Sequence, residues 1–244
     1  MTTDWLSAVT FADKNNGTIV GANGTILHTA NGGTTWIREQ SGTTQTLCAV
    51  SFVNANIGIA VGLGVILHTT NGGATWTSQT NGVSATGSYL GVAFSDALNG
   101  TVVGFGGTVL RTIDGGASWS KQTNGIDPYK NLFGVSFSRQ STGIVVGDGG
   151  MVFTTTDGGS HWTTQVVGTT ACLFGVSFSL PSRSFVMLKI FDVMGREVAT
   201  LIEEELSAGA YAKQWNASGM PSGVYFYRLQ AGTSSETKRL ILQK

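Results

Sequence analysis

The chain has 244 residues, with 14 basic and 14 acidic side chains and no net charge at neutral pH. Apolar residues make up 41% and charged ones only 11%, which provides for a core and excludes intrinsic disorder, where that balance is reversed. The zero balance gives no electrostatic footprint for nucleic acid or anionic lipid, and no run reaches the ~18 apolar residues of a membrane span.

The averages conceal a break. Residues 1–180 hold 14 charged side chains and 30 glycines, whereas residues 181–244 hold 14 and 5. A domain boundary near Pro181 is expected from that shift. The opening MTTDWLSAVTFA has neither the basic nor the apolar region of a signal peptide, so it reads as a mature or trimmed chain or as one that is not exported. Two cysteines, Cys48 and Cys172, are too few for a disulfide framework and read as small buried apolar residues, with a single disulfide left open.

In chain order, the first unit runs LSAVTF (6–11), GTIVG (17–21), GTILHT (24–29) and the octapeptide TANGGTTW (29–36). The second repeats it as LCAVSF (47–52), GIAVG (58–62), GVILHT (64–69) and TTNGGATW (69–76). The third reads YLGVAF (89–94), GTVVG (100–104), GTVLRT (107–112) and TIDGGASW (112–119), and the fourth LFGVSF (132–137), GIVVG (143–147), GMVFTT (150–155) and TTDGGSHW (155–162). A short polar run such as TWTSQT (75–80) closes each unit. Trp36, Trp76, Trp119 and Trp162 are therefore spaced 40, 43 and 43 residues apart.

Runs of about five Val, Ile, Phe and Thr residues bounded by Gly or Asn are strand signals, and nothing in this half keeps a helical period. Four antiparallel strands in ~42 residues is the size of a β-propeller blade. The most apolar first strand should lie innermost and the polar fourth outermost. In each octapeptide, Asn or Asp is expected to accept hydrogen bonds from N–H groups two residues on, and Gly-Gly to supply positive φ. Trp then offers a large apolar face to its own or a neighbouring blade. The structural set is Thr29, Asn31, Gly33, Trp36; Thr69, Asn71, Gly73, Trp76; Thr112, Asp114, Gly116, Trp119; and Thr155, Asp157, Gly159, Trp162.

The pattern Thr-x-Asn/Asp-x-Gly-x-x-Trp resembles the Asp-box of sialidase-type propellers. The whole unit, with its ILHTTNGGATW core, is most similar to propellers related to photosystem II assembly and stability factors. That resemblance covers about residues 5–165 and implies a fold, since Asp-boxes occur in propellers of many activities. The family usually has around seven blades, and only four complete units occur here. A fifth inner strand, LFGVSF (173–178), begins on schedule and stops at Pro181. Four blades can close alone, stay an open arc, or complete a ring with a second chain. An open arc exposes edges and apolar faces, so a closed four-bladed ring or a homo-oligomer is expected.

Further on, MLKIFDVMGREVATL (187–201) reads as a strand, an Asp/Gly turn and a strand. GAYAKQW (209–215), GVYFYRLQAG (223–232) and TKRLILQK (237–244) complete a small Ig-like sandwich. The same run, over roughly 178–244, closely resembles the C-terminal sorting domain of type IX secretion substrates. This implies export by an outer-membrane machine in a Bacteroidetes-like bacterium, followed by release or surface attachment. The family's Asn-Pro-rich lead-in is missing. The expected organisation is an all-β chain: Asp-box propeller repeats over 1–172, a shared or junction strand over 173–181, and the Ig-like sorting domain over 182–244.

Catalytic chemistry is not evident. A sialidase-like site needs an arginine cluster, Tyr with Glu and an acid/base Asp, whereas the propeller half has Arg38, Arg111 and Arg139 and a single Glu, Glu39. Paired carboxylates for glycoside hydrolysis, nucleophile motifs and phosphate loops are likewise not evident. His28, His68, Arg111 and Thr154 share one position of successive units, which brings a polar or anion-binding ring into view; two His do not make a zinc site. Their plainer reading is strand residues contacting the next blade, and Asp148 in GDGG reads as turn chemistry. No catalytic residue, metal or cofactor is expected. The reading is a non-enzymatic secreted or surface propeller that binds a protein or glycan and meets the type IX machinery through its C-terminus. The alternatives are a photosystem-factor-like protein-binding propeller and a degenerate sialidase-like one.

Overall fold

The structure, a computed structural model, describes residues 2–79, 84, 86–122, 129–137, 141–165, 176–180, 183–207, 209–213, 215, 217, 219–221, 223–231 and 234–242. Blade 1 is built from β1 (Leu6–Phe11), β2 (Gly17–Gly21), β3 (Ile26–Thr29) and β4 (Ile37–Glu39). Blade 2 has β5 (Leu47–Phe52), β6 (Gly58–Gly62), β7 (Val65–Thr69) and β8 (Thr77–Ser78). Blade 3 has β9 (Tyr89–Phe94), β10 (Gly100–Gly104), β11 (Val109–Thr112) and β12 (Ser120–Lys121). Blade 4 has β13 (Leu132–Phe137), β14 (Gly143–Gly147), β15 (Val152–Thr155) and β16 (Thr163–Gln165).

Each blade is a four-stranded antiparallel meander in sequence order. The first strands are innermost, β1 packing beside β5, β5 beside β9 and β9 beside β13. The fourth strands are short and largely exposed. Alternation along the strands gives every blade two apolar faces. One carries Val20 and Ile26 in blade 1, and it closes on Leu47, Val50, Ala60, Leu67 and Trp76 of blade 2. Ile59, Val61 and Ile66 repeat this against blade 3, and Val103 and Val109 against blade 4. Sheets therefore stack face to face, and each contact is an aliphatic core of Val, Ile and Leu.

Closure of the four blades into a ring is not what the structure shows. Among the described residues no comparable packing joins β13 back to β1, and Leu6, Val9 and Phe11 on β1 are 44%, 43% and 47% exposed. Face-to-face stacking leaves an end blade uncovered unless the chain returns to it. At the other end Val146 and Val152 of blade 4 are buried.

The remaining strands are β17 (Val176–Leu180), β18 (Ser184–Asp192), β19 (Glu197–Leu206), β20 (Gly209–Lys213), β21 (Gly223–Ala231) and β22 (Ser234–Leu242). They form two sheets, β19-β18-β21-β22 and β17-β20. The segment that arrives on the repeat's schedule, β17, pairs antiparallel with β20 from Val176↔Lys213 to Leu180↔Gly209. Residues 166–175, where a fifth repeat starts, lie outside the described residues. Val186, Leu188, Ile202, Ile190, Ala217 and Tyr225 make the sandwich core. The β18–β19 turn is fixed by Asp192, whose Oδ1 accepts from the Met194 and Arg196 amides while Arg196 Nε donates to Oδ2 at 2.7 Å. No helix among the described residues is long and apolar enough to cross a membrane.

Candidate functional site

The four octapeptides are the one constellation that occurs in every blade, and each folds by the same local chemistry. In blade 3, Thr112 Oγ1 donates to Asp114 Oδ1 at 2.7 Å and accepts from the Gly116 amide at 2.9 Å. Asp114 Oδ1 also accepts from the Ser118 amide at 2.9 Å, and Oδ2 from the Ser118 hydroxyl at 2.6 Å. The acceptor's reach is thus four residues, not the two expected from Asx-turn chemistry. The Gly-Gly pair explains it: Gly115 and Gly116 have φ of 72° and 93°, and this left-handed step brings the chain back over the carboxylate.

The same net recurs throughout. Thr29 and Asn31 hold Gly33 and Thr35, Thr69 and Asn71 hold Gly73 and Thr75, and Thr155 and Asp157 hold Gly159 and His161. All four threonines are almost fully buried, so their hydroxyls need these partners. Burial alone would raise the carboxyl pKa values, but hydrogen bonds outweigh it. Asp114 is lowered, chiefly by Ser118, and Asp157 is lowered to about 2 by the His161 amide and ring and by Thr155. These oxygens are consumed by their own turn.

Each tryptophan follows the turn, and in blades 1, 2 and 4 it meets the phenylalanine that ends the first strand of its own blade. Phe11–Trp36, Phe52–Trp76 and Phe137–Trp162 have ring centroids 6.0–6.2 Å apart, the first two edge-to-face. In blades 2 to 4 the indole also lies against the preceding blade, in the same clusters as Val20, Val61 and Val103. Trp76, Trp119 and Trp162 are 8%, 4% and 7% exposed, while Trp36 is only half-buried.

A second tie was not read from the sequence. The loop between the first and second strands is its own Asx turn, with Asp13, Asn54 and Asp96 each accepting two backbone amides. The first octapeptide glycine donates to a carbonyl of that loop: Gly32 to Asn15, Gly72 to Asn56, Gly115 to Leu98 and Gly158 to Ser141. The signal was present as Asp or Asn four residues before the Gly that opens the second strand of blades 1 to 3, in FADKNNG, FVNANIG and FSDALNG.

His28, His68 and Arg111 sit on the third strands of different blades, opposite Thr18, Ile59 and Thr101, and so face the next blade. The structure gives each its own surroundings rather than one shared site. Arg111 Nη2 donates to Asn99 Oδ1 at 3.0 Å. Burial pushes His68 down, with the Asp114 carboxylate of the next blade opposing it. Among the described residues no group of three or more His, Cys, Asp or Glu is placed to hold a metal. Arg38 pairs with Asp4 at 3.3 Å, two blades from Arg111, and Arg139 lies outside the described residues. Asp148 accepts from the Asn131 amide at 3.0 Å. A polar cleft of about 510 Å³ beside blade 1 is lined by Asn23, Arg38, Glu39, Ser41 and Thr43 among others, with a single carboxylate. Cys48 is half-buried and its thiol is pushed up by burial; Cys172 lies outside the described residues.

Four-stranded Asp-box blades followed by a two-sheet sandwich define an all-β propeller protein with a C-terminal β-sandwich module. Comparison gives the family: residues 1–82 and 79–173 match the model described as photosynthesis system II assembly factor YCF48, and the chain belongs to that family. Residues 173–243 match the secretion system C-terminal sorting domain. Among solved structures, the chain is similar to an ancestral GH74 enzyme (14% identity, TM-score 0.58, covering 96% of this chain and 39% of that one). It is also similar to the C-terminal WD40 domain of Sif2 (12%, TM-score 0.53, 85% and 57%) and to YCF48 bound to D1 peptide (17%, TM-score 0.47, 88% and 94%). At these identities the first two speak for the fold alone, and the chain spans well under two thirds of either. No curated protein sequence matches the chain significantly.

Proposed function

We propose that this chain is a non-catalytic propeller that binds a partner at the cell surface or outside the cell, carried there by type IX secretion in a Bacteroidetes-like bacterium. The observation that carries the reading is the union, in one chain, of an assembly-factor propeller and a secretion sorting domain. The octapeptides support a scaffold role, because their hydroxyls and carboxylates are engaged in fixing turns. Separation of Arg38 from Arg111 and the lone carboxylate of the polar cleft speak against a sialidase-like or paired-carboxylate hydrolase. Family membership favours a protein ligand over a sugar.

The test is expression behind an export leader in a bacterium with a type IX system, with and without residues 183–244. The full chain is expected in the medium or on the outer surface and the shortened one in the periplasm. Equal distribution of the two would overturn the address. A glycosidase screen should give no turnover, and release of any sugar would overturn the non-catalytic reading.

A further inference from the structure

Residues 132–138 and 173–179 are the same heptapeptide, LFGVSFS, whereas the other blades open on LSAVTF, LCAVSF and YLGVAF. The first copy supplies β13, the inner strand of blade 4, paired with β14 from Leu132↔Gly147 to Phe137↔Gly143. The second copy runs into β17, which pairs with β20 of the sandwich. The two family matches meet at its first residue, 173. Blade 4 makes specific demands on its inner strand. Leu132 is fully buried, and the Phe137 ring lies so close over Gly143 that a Cβ there would be 2.6 Å from it. The same ring sits 6.0 Å from that of Trp162. Every side chain that meets those demands recurs in 173–179.

We propose that blade 4 has two interchangeable inner strands, so that β17 can leave β20 and take the place of β13 on β14. In the exchanged state Val176, Ser177 and Phe178 stand opposite Val145, Ile144 and Gly143, as Val135, Ser136 and Phe137 do in the resident one. The connection is long enough for the move. Because the blade is an antiparallel meander, β16 ends where β13 begins, at one end of the sheet. The two lie three strand spacings apart, ~14 Å, and the seven intervening residues 166–172 reach ~23 Å. Identical residues make identical contacts in the blade. The balance between the states therefore rests on the loops and on the five β17–β20 pairs, which only the resident state keeps. The exchanged state is the minor one, and it opens β20. Blade 4 and the sandwich are thereby coupled: whatever loosens β13 draws β17 out of the sandwich.

Disulfide trapping on the full chain, with Cys48 and Cys172 replaced by serine, tests this. Residues directly opposite in an antiparallel pair bring their Cβ atoms within disulfide reach. Ile144→Cys with Ser136→Cys reports the resident strand, and Ile144→Cys with Ser177→Cys the exchanged one. Ile144→Cys with Ser184→Cys, on β18, gives the background. The exchanged pair should close within one chain about tenfold faster than the background, and more slowly than the resident pair. Leu132→Asp places a carboxylate at the fully buried site of β13 alone and should speed the exchanged crosslink about tenfold more. Should that variant lose its fold, Leu132→Ala reads the same shift at smaller size. An exchanged pair no faster than background, a rate indifferent to the Leu132 variants, or a crosslink found only between chains would overturn the inference.

Discussion

Blades 1 and 3 carry the same octapeptide pattern, and the Thr, Asx and Gly bonds that close their turns match, yet their tryptophans live in different surroundings. Trp119 lies between its own sheet and the Ile59, Val61 and Ile66 face of blade 2, at 4% exposure. Trp36 keeps the edge-to-face contact with Phe11 inside its blade and has no sheet on its other side. The motif therefore has two separable parts. Thr, Asn or Asp and Gly-Gly close a turn by local bonds, which any blade can make alone. The tryptophan is a stacking element whose worth depends on a predecessor.

The strongest way to break that division is to truncate the two tryptophans. Trp119→Ala should cost about 3–5 kcal/mol in urea unfolding, because it opens a cavity between two sheets, whereas Trp36→Ala should cost about 1–2 kcal/mol, since water already reaches its site. Equal costs would show that the indole acts within its own blade.

Removing the hydroxyl should behave oppositely. Thr112→Val leaves the Gly116 amide and the Asp114 carboxylate without their buried partner and should cost about 1–3 kcal/mol. Thr29→Val should cost the same, as Thr29 is equally buried and makes the same bonds. A much smaller effect in blade 1 would tie the turn to stacking after all.

The smallest expected effect separates the blades by acid. Blades 1 and 2 use Asn31 and Asn71 where blades 3 and 4 use Asp114 and Asp157. Asp157 titrates at about 2 in the folded chain against an ordinary 3.8, so its stabilisation is present above 3.8 and is lost as pH falls through about 2. Asp114 is lowered too and acts in the same direction. The double variant Asp114→Asn, Asp157→Asn, which copies the first two blades, should flatten the fall in melting temperature below pH 4. An unchanged acid profile would place the lost protons elsewhere, with Asp4 and Asp13, also lowered by hydrogen bonds, as the next groups to replace.

Legibility from sequence followed the range of the forces involved. The octapeptide positions were readable because Gly-Gly, Thr and Asx act over four residues, although the reach of the Asx oxygen was set too short without the backbone path. The tie from Gly115 to the Leu98 carbonyl was missed, since it joins two loops that the strands bring to one end of the blade. His28, His68 and Arg111 share one register, but register alone does not converge side chains carried on separate sheets. Arg111 finds Asn99 of its own blade, and His68 feels Asp114 of the next.

By itself the sequence determined the four repeated units, the phase of strands within each and the residues that make their turns. Each of these follows from residue type and spacing along one chain. Only the tertiary structure decided that, among the described residues, blade 1 meets blade 2, blade 2 blade 3 and blade 3 blade 4, that three tryptophans are buried and Trp36 is half-buried, and that β17 pairs with β20. Those outcomes depend on which sheet face meets which, and a repeat that is the same in every blade carries no information about where the stack begins.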